Sequence, residues 1–152
     1  MFIYGKTASN AIAVMSFLAE DKSRRTGSGE IAESRGISQA LTAKLLTQLA
    51  SAGLVSGQPG PGGGYTLAKS AKDISLMDIV ELFEQTNPPS LCPFGHNWCG
   101  AGKNPCPLHD TILEMVASNR RFMHETRLSV FEKKQMSSAA MKRNLLTARE
   151  RA

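Results

Sequence analysis

Apolar residues recur at helical spacing in four stretches of the chain, and two short strand-like runs lie between the second and third. Ala11, Ile12, Met15, Leu18 and Ala19 make one face of a helix predicted over residues 7–20, with Thr7 or Ser9 placed to cap its start. A polar loop over residues 22–29 leads to a short helix from about Glu30 to Ser34, with Ser28 as its candidate N-cap and Gly36 as its breaker. Ser38 then caps a third helix. Its apolar stripe is read as Leu41, Leu45 and Leu49 with Leu46 beside them, which leaves Gln39, Ala40, Thr42, Ala43 and Thr47 as a small, polar outer face. Gly53 stands where a helix C-terminal glycine belongs. Two helices joined by a glycine turn, the second polar outward, predict a helix-turn-helix.

The next segment strengthens that reading. Leu54-Val55-Ser56 and Tyr65-Thr66-Leu67-Ala68 are short strands, and Gly57 to Gly64 between them is built from glycine and proline around Gln58. A hairpin after a recognition helix is a wing, so the predicted fold is mainly α with a small β-wing. The glycines permit the turn and also let backbone N–H groups approach phosphates. A nucleotide-binding loop is disfavoured, because there is no G-K-[ST] and no helix follows the glycines directly. Ser75-Leu76-Met77-Asp78 opens a fourth helix with a capping-box pattern. Its stripe is Leu76, Ile79, Val80 and Phe83, and Asn87-Pro88-Pro89 ends it.

From about His109 the pattern is helical again. Ile112, Val116, Asn119, Met123, Thr126 and Val130 step by four and three, and Met115, Phe122 and Phe131 widen the seam. A helix of about 25 residues extends about 37 Å. So broad a stripe requires a partner in its own domain, a second subunit, or both; a homodimer is expected. The predicted organisation is a winged helix-turn-helix over residues 1–86, a cysteine-rich loop over 87–107, a dimerisation helix over 108–136 and a basic tail over 137–152.

At 152 residues the chain is long enough for one such domain with an appendage. Its net charge of +5 is unevenly spread: residues 1–72 carry eight Lys/Arg against four Asp/Glu, residues 73–117 one against six, and residues 118–152 nine against three. A basic head and tail suit double-stranded DNA, although a solvated surface produces the same pattern. No apolar run is long enough to cross a bilayer, and no charged-then-apolar leader opens the chain, so a cytoplasmic location without membrane contact is expected.

Three cysteines, Cys92, Cys99 and Cys106, fall within fifteen residues of a segment rich in proline and glycine. An odd count in a cytoplasmic chain argues against a disulfide framework. A loop of about 20 residues without regular structure needs something to tie it together, and metal binding is the leading candidate. Soft thiolates hold iron–sulfur clusters, and three cysteines with one histidine also suit structural zinc. His96 and His109 are the rival histidines, Trp98 reads as a packing lid, and His124 as a structural or surface residue. No Ser/His/Asp set, carboxylate pair or phosphate loop is visible, and nothing orients Cys99 against His96, so an enzyme is not expected.

Ile31-Ala32-Glu33 leading to Gly36-Ile37-Ser38, then Gly53-Leu54-Val55, then Gly60-Pro61-Gly62-Gly63-Gly64-Tyr65, then three cysteines before a long helix, together resemble the IscR/NsrR/RirA regulators. These are bacterial winged-helix transcription factors that sense iron–sulfur status, nitric oxide, iron or redox state, and the likeness runs from about Ile3 to about Phe131. It implies a homodimer crossed through the long helix, with the cluster loop near the subunit interface. It also implies that His109, three positions after Cys106, completes the ligand set Cys92, Cys99, Cys106 and His109 as in IscR. That arrangement favours a 2Fe–2S cluster, and the C-x6-C-x6-C spacing, wider by one residue per gap than in IscR and NsrR, leaves 4Fe–4S open. The N-terminal carboxylate ligand of NsrR-like members has no counterpart here, because no acidic residue precedes Glu20. The wing arginine of IscR is replaced by Pro59, so a different sequence preference is expected.

For DNA, Ser38, Gln39, Ala40, Thr42 and Lys44 are predicted at or beside the major groove, with Gln39 as the direct reader of adenine. Arg24, Arg25, Thr26 and Ser28, with Gln58 and Gly60 of the wing, are predicted to meet phosphates. The alternative to a sensor is a winged-helix protein stapled by a structural zinc.

Overall fold

The computed structural model describes residues 4–84 and 106–132. Helix α1 spans Lys6–Glu20, α2 Ser28–Arg35 and α3 Gln39–Ser51. Strands β1 (Val55–Gln58) and β2 (Gly64–Leu67) pair antiparallel with Val55 opposite Leu67 and Gln58 opposite Gly64. A 3-10 turn over Ala71–Asp73 leads into α4 (Leu76–Phe83). Helix α5 spans His109–Glu125, and a 3-10 turn over Leu128–Phe131 follows it. Among the described residues no helix is long and apolar enough to cross a membrane.

The core gathers around α1. Ala8, Ala11, Val14, Met15, Leu18 and Ala19 are buried against Ile31 of α2, Leu45, Leu46 and Leu49 of α3, Ile74, and Ile79 of α4. Local signals end the elements where the chain must turn. Gly36, at φ +62°, closes α2, and Ile37 N–H reaches back to Ala32 O at 3.0 Å. Gly53, at φ +72°, performs the same task after α3, where Leu54 N–H bonds Leu49 O. The Ser75 hydroxyl and the Asp78 carboxylate form the reciprocal capping box predicted for α4.

Helix starts depart from expectation at two places. Thr7 and Ser9 lie inside α1, whose N-cap is Gly5. The Glu84 carboxylate instead accepts the Gly5 N–H at 2.7 Å, so the end of α4 supplies the cap that the local sequence lacks. Ser28 is the first residue of α2, not its N-cap, which is Gly27. Helix α4 also ends at Phe83, ahead of the Asn87-Pro88-Pro89 stop.

The long helix is shorter than its pattern predicts. Of the periodic positions predicted in a dimer seam, Met123 is buried in the protomer's own core and Ile112, Val116 and Asn119 are half-buried, while α5 stops at Glu125 and Thr126 is extended. Leu76 N–H bonds Thr126 O at 3.0 Å and Leu128 N–H bonds Ile74 O at 2.8 Å. These two bonds pull the chain out of the helix and onto the segment before α4, where Leu128 is fully buried. Residues 126–131 therefore pack with the DNA-binding head, and the helix predicted from 108 onward is broken at Thr126. Val130, predicted in the seam, is exposed. A Lys22–Glu132 ion pair closes this end against the α1–α2 loop.

Arg35 clamps α2 to α1. Its guanidinium pairs with Glu20, donates to Ala13 O at 3.1 Å and lies 5.2 Å from the Phe17 ring centre.

Candidate nucleic-acid interface and the Cys106–His109 turn

Helix α3 presents one open side. Ser38 caps it, its hydroxyl accepting the Leu41 N–H, and Ser38, Gln39, Ala40 and Lys44 are exposed as predicted. Thr47 is exposed on the same side, with its hydroxyl bonded to Ala43 O at 3.0 Å. Thr42 does not belong to this face. It is fully buried, because Thr42, Leu45, Leu46 and Leu49 sit at i, i+3, i+4 and i+7 and form the true core stripe. Leu41, read as core, lies only at its margin. Thr42 is thus removed from the predicted DNA contacts.

The buried Thr42 hydroxyl also has no hydrogen-bond partner among the described residues. Burying an unsatisfied hydroxyl costs on the order of 1–3 kcal/mol. Thr42→Val keeps the shape and removes that cost. It is expected to raise the thermal midpoint by several degrees in a calorimetric scan, at about 2–4 °C per kcal/mol for a chain of 152 residues. An unchanged or lowered midpoint would contradict the assignment.

The wing lies beside the start of α2. Thr26 is buried, and its N–H and C=O both bond Tyr65, at 3.0 and 2.8 Å, so the loop before α2 forms an isolated third rung on β2. Thr26 therefore braces the wing and is withdrawn as a phosphate contact. Arg25 is half-buried, its guanidinium 3.4 Å from Ser56 O and 3.5 Å from Gly64 O. Arg24 is exposed but engaged. It forms a two-point pair with Glu30, one limb Nη1–Oε2 at 2.9 Å, and its Nε stands 3.8 Å from Asp21. The hydrogen bond from Arg24 holds the Glu30 carboxyl below its ordinary range, and the same bond raises the arginine. Ser28 is half-buried in the first turn of α2. Gln58 and Gly60 are exposed at the wing, where Gly60, Gly62 and Gly64 all adopt positive φ.

Of the predicted metal ligands, Cys106 and His109 are described; Cys92, Cys99 and the rival His96 lie outside the described residues. Cys106 is half-buried with a free thiol, and its carbonyl accepts the His109 N–H at 3.0 Å. This turn starts α5, and His109 is its first residue. His124 is exposed near the other end. The far side of α5 carries unburied apolar groups: Leu108, Met115 and Phe122 recur every seven residues, with Met115 and Phe122 58% and 57% exposed.

A family model described as "Iron-dependent Transcriptional regulator" matches residues 4–133. A putative HTH-type transcriptional regulator of Aquifex aeolicus is 30% identical over 125 residues, covering 82% of this chain and 87% of that one. The HTH-type transcriptional regulator IscR of Cereibacter sphaeroides is 29% identical over 133 residues, covering 87% and 86%. Among solved structures, CymR, the global cysteine regulator of B. subtilis, aligns with a TM-score of 0.67 at 22% identity, over 86% of this chain and 97% of that one. The IscR of T. potens aligns with a TM-score of 0.61 at 23% identity, over 93% and 86%. These structures share the winged-helix fold, and the relatives are DNA-binding regulators, not enzymes. The chain belongs to the Rrf2 family of transcriptional regulators.

Proposed function

We propose that this regulator binds operator DNA as a homodimer and that its affinity responds to an iron–sulfur cluster held by Cys92, Cys99, Cys106 and His109. The observation that carries the reading is the turn at the start of α5. It places a half-buried thiol and an imidazole three residues apart, directly at the base of the helix that leads back to the DNA-binding head. The donor set fits the group: thiolates are the ligands of iron–sulfur clusters, and a histidine on iron raises the reduction potential relative to thiolates alone. The iron-dependence in the family's description points the same way. When bound, the cluster would supply a redox- and iron-dependent charge at this turn. A 2Fe–2S form is favoured by the Cys106–His109 spacing.

Gln39 and Lys44 of α3, Gln58 and Gly60 of the wing, Arg24 and Arg25 of the loop before α2, and Ser28 at the start of that helix form the proposed DNA surface, with Ser38 and Ala40 beside the groove. Gln39 is the base reader and Lys44 a phosphate contact. The partner for Leu108, Met115 and Phe122 is the same stripe of a second copy, which presents two α3 helices to a two-fold-symmetric site. A DNA-binding transcriptional regulator suits a cytoplasmic location.

Three thiolates and a histidine equally suit structural zinc, and one preparation separates the two. Anaerobically purified protein is expected to be reddish-brown, with iron and acid-labile sulfide in stoichiometric amounts, and Cys99→Ala colourless. Colourless wild type carrying zinc would replace the sensor with a metal-stapled DNA-binding protein.

A further inference from the structure

We propose that Glu30 competes with DNA phosphate for the Arg24 guanidinium, so that the Arg24–Glu30 clasp sets how tightly the protein holds DNA of any sequence. This rests on the DNA surface proposed above. The clasp lies at the junction of that surface. Two residues beyond Arg24, Thr26 is bonded on both sides to Tyr65 of the wing. Next to Arg24, the Arg25 guanidinium reaches the wing carbonyls of Ser56 and Gly64. One residue before Glu30, Gly29 packs against the amide of Gln39, where an added Cβ would stand 3.6 Å from Nε2. Wing, α2 and recognition helix thus meet around this pair.

The pairing geometry matches the one a phosphate would offer. Glu30 presents two oxygens to the guanidinium fork, and Asp21 lies beyond it at 3.8 Å. Asp21 is itself oriented by the Ser23 N–H and hydroxyl, at 2.8 and 2.6 Å. The clasp is solvent-exposed, and exposed ion pairs are weak, so DNA phosphate can displace it. Displacement leaves a bare carboxylate beside the DNA backbone, which attracts cations again. Binding through Arg24 therefore releases few ions in the wild type. Without the carboxylate, the same contact releases about one ion per protomer, following the slope of about 0.9 per neutralised phosphate.

The test compares wild type, Glu30→Gln, Glu30→Asp, Arg24→Ala and the Arg24→Ala/Glu30→Gln double variant on a selected duplex and on an unrelated one, across a salt series. Glu30→Gln is expected to bind both duplexes about three- to ten-fold more tightly near 0.1 M salt, with a steeper salt slope by about one per bound protomer. Glu30→Asp, which keeps the charge, should return most of the wild-type behaviour. In the double variant the gain should vanish. Unchanged or weaker binding by a folded Glu30→Gln protein, or a gain that survives loss of Arg24, would make the pair a brace of the α1–α2 loop and overturn the competitor role. Failure of the wild type itself to bind either duplex would overturn the DNA surface, and the clasp with it.

Discussion

Phe122→Glu is expected to leave a folded monomer, whereas Met123→Glu, one residue further along the same helix, is expected to destabilise the fold severely. Met123 is 2% exposed and packs into the core around α1, so a glutamate there would bury an unpaired carboxylate among aliphatic side chains. The cost is on the order of 3–5 kcal/mol, a large part of the total stability of a small domain. Phe122 points out of that core and is 57% exposed in the single chain. A charge there costs the monomer little and places like charges in the seam between two copies. Urea melts and sedimentation separate the outcomes. The expected pair is a lowered midpoint for Met123→Glu and a wild-type midpoint with half the mass for Phe122→Glu. A dimeric Phe122→Glu protein would move the subunit interface off the Leu108–Met115–Phe122 stripe. Val116 and Met123, which the periodicity alone recommends as seam probes, are poor ones, because Met123 belongs to the protomer's own core.

Gly63→Ala is expected to weaken DNA binding by more than about ten-fold while leaving the core intact. A Cβ on Gly63 would stand 2.2 Å from Gln58 O, 2.8 Å from Gly60 O and 2.9 Å from the Pro59 carbonyl carbon. All three are backbone atoms, so the tip must open. The neighbouring Gly62, with φ +72° and nothing within 4 Å of its would-be Cβ, offers a milder comparison: Gly62→Ala meets only the left-handed strain of about 1–2 kcal/mol. The tip contributes nothing to the buried core, so thermal midpoints should change little. Loss of affinity should be equal for selected and unrelated duplexes, since the wing is assigned to phosphates. Full DNA affinity in Gly63→Ala would take the wing tip off the DNA.

What could be read from the sequence was local. Ser38, Ser75 with Asp78, Gly36 and Gly53 act within one turn of themselves, and each does what its residue type dictates. Local pattern and structure part where distant residues decide. Thr42 looked polar and outward, but the packing of Leu45, Leu46 and Leu49 onto α1 rotates it into the core. Thr26 looked like a loop donor, but Tyr65, far along the chain, takes both of its backbone groups. The heptad-like run beyond Glu125 continued on paper, yet backbone bonds from Thr126 and Leu128 to the segment at 74–76 end the helix. Arg24 reads from sequence as a basic DNA contact, and its engagement by Glu30 appears only once the loop is folded. Of the candidate metal site, Cys106 and His109 are legible in the sequence and form the turn that starts α5.

The most direct measurement is the affinity of the cluster-loaded and cluster-free protein, at one salt concentration, for a duplex selected by the wild type from a random pool. The Cys99→Ala variant serves as the permanently cluster-free control. A sensor whose ligand turn sits at the base of α5 must bind that duplex with different affinities in the two states, and by linkage the duplex must change cluster stability by the same factor. Equal affinities for loaded, stripped and Cys99→Ala proteins would contradict the account.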